Sequence, residues 1–177
     1  MPEVRSKMAY KYSYQTFNST SMARASTVNA RISFKKSVEV ARQLTGKKVS
    51  VAKKFLEDVI KQEQVVEYKR FNTEMPHKKG KGVMAGGYPV NVAKQFLLVL
   101  KNCEKNAENL GLGESDELKI ISASVRQGTG RYKMSRMSGR KMKSTHVEII
   151  VTQDDKKNKS STKKSTAKST TSGGNNK

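Results

Sequence analysis

The sequence predicts an α+β fold: a small antiparallel three-stranded sheet covered on one face by three helices, with a long basic β-hairpin arm and extended termini. Two strand-like runs, LKIISASVR and HVEIIV, bracket residues 127–145. Strands on either side of one such excursion pair antiparallel. Three upstream segments repeat apolar residues at helical spacing. The bracketed segment itself, QGTGRYKMSRMSGRKMKST, holds six cations and no acid, so it cannot bury itself in a core.

In chain order, residues 1–20 are polar with Tyr10, Tyr12, Tyr14 and Phe17 interleaved, and read as an extended strap whose aromatics either stack on bases or pack on the body. Residues 22–32 form the first strand, carrying Arg24 and Arg31. Ser33 then caps a helix, with Phe34, Val38, Ala41 and Leu44 as its apolar stripe and Gly46 as its stop. Lys35 and Lys36 lie in its first turn, against the helix dipole, a placement that suits nearby phosphates. The following Gly46-Lys47-Lys48 lacks the first glycine of a Walker loop, since that position is Ala41. Ser50 is expected to cap a second helix with Ala52, Phe55, Leu56, Val59 and Ile60 on one face. Its outer face alternates Lys53, Lys54, Glu57, Asp58 and Lys61, as a solvated helix does.

Residues 65–71 read as short and extended, and include Lys69 and Arg70. Residues 72–88 contain four glycines and one proline and predict an irregular loop. Its Lys78, Lys79 and Lys81 lie among glycines that let backbone approach a phosphate. Pro89 opens the longest helix, to about residue 109, with Val92, Phe96, Leu97, Leu100, Cys103, Ala107 and Leu110 along one face; Cys103 falls on that stripe as a core residue. Gly111 and Gly113 end it, and residues 114–117 form an acidic turn. Residues 118–126 alternate Lys119, Ser122 and Ser124 with apolar positions, ending on Arg126. Residues 146–152 turn Val147, Ile149 and Val151 inward. Between these strands lies the arm, with Arg131, Tyr132, Lys133, Arg136, Arg140, Lys141 and Lys143. Fully extended, roughly nine residues a side at 3.3 Å each would carry its tip about 30 Å outward. Residues 154–177, rich in Lys, Ser and Thr, are expected to be disordered alone.

Thirty-six Lys and Arg stand against 15 Asp and Glu, a formal net charge of +21. Such charge is costly in a compact free protein and expected of one that neutralises many phosphates. No apolar run approaches a membrane span. The first residues have no apolar signal region, which argues against secretion. The single cysteine excludes an internal disulfide and suits a reducing compartment. With two histidines and one cysteine there is no zinc spacing, no nucleophile-base arrangement, and no dinucleotide fingerprint around Gly128-Thr129-Gly130. No enzyme, cofactor, metal or small-molecule substrate is expected. A polyanion binder is, with Arg24, Arg31, Lys35, Lys36, Lys47, Lys48, Lys69, Arg70, Lys78, Lys79, Lys81, Arg126 and the arm residues Arg131, Tyr132, Lys133, Arg136, Arg140, Lys141 and Lys143 as its binding residues. Charge on several faces favours RNA over the alternatives, a free architectural DNA binder using the arm in a groove or a lipid-surface binder.

Several stretches resemble one family, the universal large-subunit ribosomal protein twenty-two, called protein seventeen in eukaryotic large subunits. VNARISFKK at 28–36 is similar to its strand-to-helix entry, and ARQLTGK at 41–47 to its helix end and glycine stop. Leu100-Lys101-Asn102 with Asn106-Ala107-Glu108 resembles its long helix, Ser138-Gly139-Arg140 its arm tip, and Ser144-Thr145-His146-Val147 its return strand. Together they span residues 21–153, and the Gly-rich insert behind Tyr68-Lys69-Arg70-Phe71-Asn72 resembles the eukaryotic and archaeal branch. The pattern departs at Arg136-Met137-Ser138, and the return limb over residues 139–146 is a few residues shorter. The resemblance implies a structural role in the large ribosomal subunit. Ribosomal RNA, neighbouring ribosomal proteins and the nascent polypeptide would be its partners, and the arm would line the exit tunnel with Arg136, Met137, Ser138, Gly139 and Arg140 at its tip. It also implies a cytoplasmic ribosome, assembled in the nucleolus if the source is eukaryotic.

Overall fold

The structure, a computed structural model, describes residues 11–80, 82–113, 117–134 and 139–153. Strand β1 (Met22–Ala30) leads into α1 (Phe34–Leu44) and α2 (Val49–Lys61). A short ladder of β2 (Val66–Glu67) and β3 (Gly86–Gly87) precedes α3 (Val90–Asn109). Then come β4 (Leu118–Gln127), the arm strands β5 (Tyr132–Lys133) and β6 (Arg140–Lys141), and β7 (Thr145–Gln153). The main sheet has the order β1-β7-β4, and both pairings are antiparallel. This is the expected α+β architecture.

The helices pack on one face of the sheet, where Ala23, Ala25, Val147, Ile149, Val151, Leu118 and Ile120 meet Leu44, Leu56, Phe96 and Leu100. Cys103 is fully buried there, its Sγ 3.6 Å from the carbonyl of Ala23 and 3.7 Å from that of Ile149. Burial pushes its thiol pKa up to about 12. Leu110, expected on the stripe, is exposed instead: α3 ends at Asn109, Gly111 turns left-handed, and Leu112 is buried in its place. Helix α2 starts at Val49 with Lys48 at the N-cap, whose carbonyl accepts the Ala52 N–H at 2.9 Å. Ser50 therefore lies inside the first turn and does not cap. Ser33 does hold the N-cap position of α1, but its side chain makes no cap bond; its carbonyl accepts from Ser37 N and Oγ. Lys53 pairs with Glu104 of α3 rather than along its own helix.

Strand β4 contains a one-residue irregularity. Ile120 opposes Val151 and Ser122 opposes Ile150, leaving Ile121 extra. The bulge explains a spacing that simple alternation cannot. Lys119 and Ser122 are three apart, yet both share the face opposite the helices, while Ala123 and Val125 turn toward them.

That second face is covered as well. Ile150 and Glu148 are each 2% exposed. Ser13 donates to Glu148 Oε2 from its N–H at 2.9 Å and its hydroxyl at 2.6 Å, and Ser124 donates at 3.2 Å. Arg126 lies 3.6 Å from the other carboxylate oxygen. The Arg24 guanidinium stands 4.3 Å from the ring centroids of both Tyr12 and Phe17. Tyr12 and Phe17 thus pack on the body, and β7 is buried on both faces. A central strand covered twice reads as a near-continuous apolar run, which is what Ile149, Ile150 and Val151 are.

Residues 72–88 are less irregular than expected. Tyr68 donates its N–H to Ala85, His77 bridges to Ala85, and β3 pairs with β2. A Cβ on Gly86 would stand 2.6 Å from Val65 Cγ1, so a larger residue there would have to displace the Val65 side chain. Residues 114–116 of the acidic turn, and 154–177, lie outside the described residues.

Candidate nucleic-acid interface

The base of the arm is tied to the exit of β1. Asn29 is left-handed, with φ 55°, a conformation its short polar side chain tolerates. Its N–H donates to His146 Nδ1 at 3.2 Å, and its Oδ1 accepts from the Ser144 hydroxyl at 2.9 Å. The Gly128 N–H donates to the Ser144 carbonyl, and Thr145 Oγ1 donates to the carbonyl of Ile32. Beyond this tie Arg131 accepts the Met142 N–H, and Tyr132 and Lys133 oppose Lys141 and Arg140. The cations of the arm's lower part are thereby held beside those that follow β1.

Three adjoining hollows result. One, of 290 Å³, is lined by Asn29, Arg31, Thr129, Arg131, Met142, Lys143 and Ser144. The next, of 330 Å³, shares Arg31 and Lys143 and adds Lys36, Ser33 and the first turn of α3 from Pro89 to Val92. The third, of 190 Å³, shares Ile32, Met142, Lys143 and Ser144 and continues to Phe34 and Lys141. No described lining residue is acidic. The first turns of α1 and α3 border this cleft, and neither carries an acid or a side-chain cap. Their N-terminal N–H groups and dipoles add to the side-chain cations. The arrangement presents donors and positive charge of the kind that suits anionic oxygens, and nothing in it resembles acid–base or nucleophilic machinery. Among the described residues no group of His, Cys, Asp and Glu could hold a metal ion, and no helix is long and apolar enough to cross a membrane.

A protein-family model described as ribosomal protein L22p/L17e matches residues 25–152. The chain belongs to that family. Among its relatives, the large ribosomal subunit protein uL22 of Ignicoccus hospitalis is 41% identical over 145 residues, covering 77% of this chain and 91% of the relative. The uL22 proteins of Nitrosopumilus maritimus and Archaeoglobus fulgidus are 32% and 39% identical, covering 81% and 73% of this chain and 97% and 84% of theirs. These archaeal relatives agree with the branch that the sequence resembles. The L22p/L17e family is one of ribosomal structural proteins and not of enzymes.

Within this L22p/L17e body the expected RNA-binding residues divide. Arg31, Lys36, Arg131, Lys141 and Lys143 meet in the cleft. Lys133 and Arg140 are exposed further out, and Tyr132 is 67% exposed. Lys69 and Arg70 lie on a turn whose N–H groups, with that of Phe71, all donate to Glu39, a fully buried carboxylate. Lys69 also pairs with Glu67 at 3.3 Å, and Lys35 stands 6.0 Å from the Phe71 ring. Others are engaged within the protein: Arg24 between two rings, Arg126 with Glu148, and Lys47 with its Nζ 4.3 Å from the Phe55 ring. Burial also lowers the Lys47 pKa. Lys48 caps α2, Lys78 lies 5.5 Å from the Tyr88 ring, and Lys79 is exposed. Lys81, and Arg136, Met137 and Ser138 of the tip, lie outside the described residues; a Cβ added at Gly139 would stand 3.7 Å from the Tyr132 side chain.

Sequence reasoning passed over Glu39, Glu148 and Arg42. The two acids were visible as carboxylates inside otherwise apolar stretches, SVEVA and HVEII. A buried acid in such a setting must organise donors around it.

Proposed function

We propose that this chain is a structural component of the large ribosomal subunit that holds large-subunit ribosomal RNA against the cleft at the arm's base. The arm reaches inward to line the polypeptide exit tunnel, with Arg136 to Arg140 at its tip beside the nascent chain. The supporting observation is the convergence of Arg31, Lys36, Arg131 and Lys143 on two uncapped helix N-termini, with no acid among the described lining residues. Phosphates supply the negative charge that the site itself lacks. Its surroundings are neighbouring ribosomal proteins and a cytoplasmic ribosome, assembled in the nucleolus in a eukaryotic source.

Sedimentation of the tagged chain tests the reading. At moderate salt it should travel with large subunits, and absence from that peak would end the ribosomal interpretation. Arg136→Glu and Arg140→Glu should impair subunit assembly or tunnel geometry while leaving the isolated body folded; unfolding would mean that the arm packs on its own body.

A further inference from the structure

A fourth hollow borders the cleft at the arm's base. Between α1 and β4 is a groove of 470 Å³, within the size range of about 300–1,000 Å³ typical of small-ligand sites. Its walls are apolar: Phe34, Val38 and Ala41 from α1, and Ala123 and Val125 from β4. Arg42 and Arg70 line it too. Its one acid, Glu39, already accepts the three N–H groups of Lys69, Arg70 and Phe71. The Phe34 ring meets Phe71 edge-on at 6.2 Å, and the Arg70 guanidinium stands 5.4 Å from the same Phe71 ring. Phe34 also lines the 190 Å³ hollow of the basic cleft, so the groove continues the cleft.

We infer that this groove receives one unstacked nucleobase of the bound RNA, with the flanking phosphates on Arg42 and Arg70. The inference rests on the RNA-binding reading above and adds a place where a base, rather than the backbone, is held. A flat apolar body on an anionic tether matches apolar walls with guanidinium groups beside them. Arginine planes and aromatic rings are the usual platforms for splayed RNA bases. A strand seated on Lys141 and Lys143 needs only to pass Phe34 to present a base there. Glu39, held by backbone donors, keeps the turn bearing Arg70 in place.

Full-length protein is tested with two labelled probes of equal phosphate number, about ten, within the usual single-strand footprint: an adenosine oligoribonucleotide and its abasic counterpart. Wild type should prefer the base-bearing chain by about tenfold, the scale of one stacked base. Val38→Phe, which fills the groove from a half-buried helix position, should bring the ratio near one without weakening abasic binding. If circular dichroism shows that variant unfolded, Ala123→Leu fills the groove from the sheet side and is held to the same outcome. Equal affinities in wild type, or a ratio unmoved in the folded filled variant, overturn the proposal. Failure of both probes to bind at low salt, with absence from the large-subunit peak, would instead refute the ribosomal reading. In purified subunits, a benzophenone side chain replacing Val38 should form its adduct with RNA. An adduct with a neighbouring protein would assign the groove to a peptide and overturn the inference.

Discussion

Glu39→Gln tests whether a buried carboxylate, rather than surface charge, positions Arg70. Glu39 is fully buried and accepts from Arg70 N and Phe71 N on Oε1, both at 2.9 Å, and from Lys69 N on Oε2 at 3.2 Å. The amide oxygen of Gln can keep the first two bonds. They fall from charge-assisted strength, about 1.5–3 kcal/mol each, toward the neutral range of about 0.5–1.5. The amide nitrogen then turns a donor toward the Lys69 N–H, and that bond disappears. Against this, Gln is spared the cost of burying a charge. The net loss is about 2 kcal/mol, a large fraction of the 5–15 kcal/mol that holds a small domain. Urea denaturation followed by the helical circular dichroism signal measures it, the chain having no tryptophan. Amide exchange at residues 69–71 should quicken in parallel. A shift under about 0.5 kcal/mol, the scale of an ordinary surface change, with exchange unchanged would show that the turn is held by something else.

Replacing Arg31 and Lys143 by Gln, singly, should each lower the log–log salt slope of RNA binding by about 0.7–0.9 for every phosphate the variant no longer neutralises, with unchanged thermal stability; binding titrations over a salt series and thermal melts measure the two. Gly128→Ala should destabilise the arm's base by about 1–3 kcal/mol. Its Cβ would collide with the Ser144 hydroxyl and stand 2.7 Å from Asn29 Oδ1, and faster exchange of the Asn29 amide reports it. Alkaline stability follows from two buried acids. Burial lifts the Cys103 thiol from 9.0 to about 12, and burial together with the Glu39 charge lifts the Tyr68 phenol from 10.0 to about 12. The unfolded chain releases these protons first, so stability holds below about pH 9 and falls between 9 and 12. In Cys103→Ala, melting temperatures should begin to fall about one unit higher, where the Tyr68 phenol titrates in the unfolded chain.

The parts legible in the sequence were those whose order depends on neighbours in the chain. Val92, Phe96, Leu100 and Cys103 repeat at helical spacing, and α3 follows from that spacing alone. The two runs around the arm imply the antiparallel pairing of β4 with β7. What stayed hidden depends on distant partners. Both faces of β7 are buried because Ser13, 135 residues away, reaches Glu148, and no local pattern carries that information. The cleft was visible only as scattered cations. Arg31 and Lys143 meet because Asn29, Ser144, His146 and Gly128 tie the exits of β1 and β4 to the start of β7 at one end of the sheet. Ser50 misled because a serine before an apolar run is a sound cap signal, yet Val49 is itself buried and draws the helix start two residues earlier, with Lys48 in the cap position. The Ile121 bulge was encoded in the three-residue step from Lys119 to Ser122, a spacing that strict alternation forbids.

Strand β7 lies between β1 and β4, which do not pair with each other. During synthesis it is also the last of the three to be made. Until it emerges, β1 and β4 each present an unpaired edge, and the second-face shelter formed around Ser13 has no carboxylate to bind. The sheet therefore has no partial form: helices can gather early, but closure waits for residues 145–153 to arrive between two strands already made. The final strand acts as a clock, and the basic arm is fully synthesised before the body that aims it has closed.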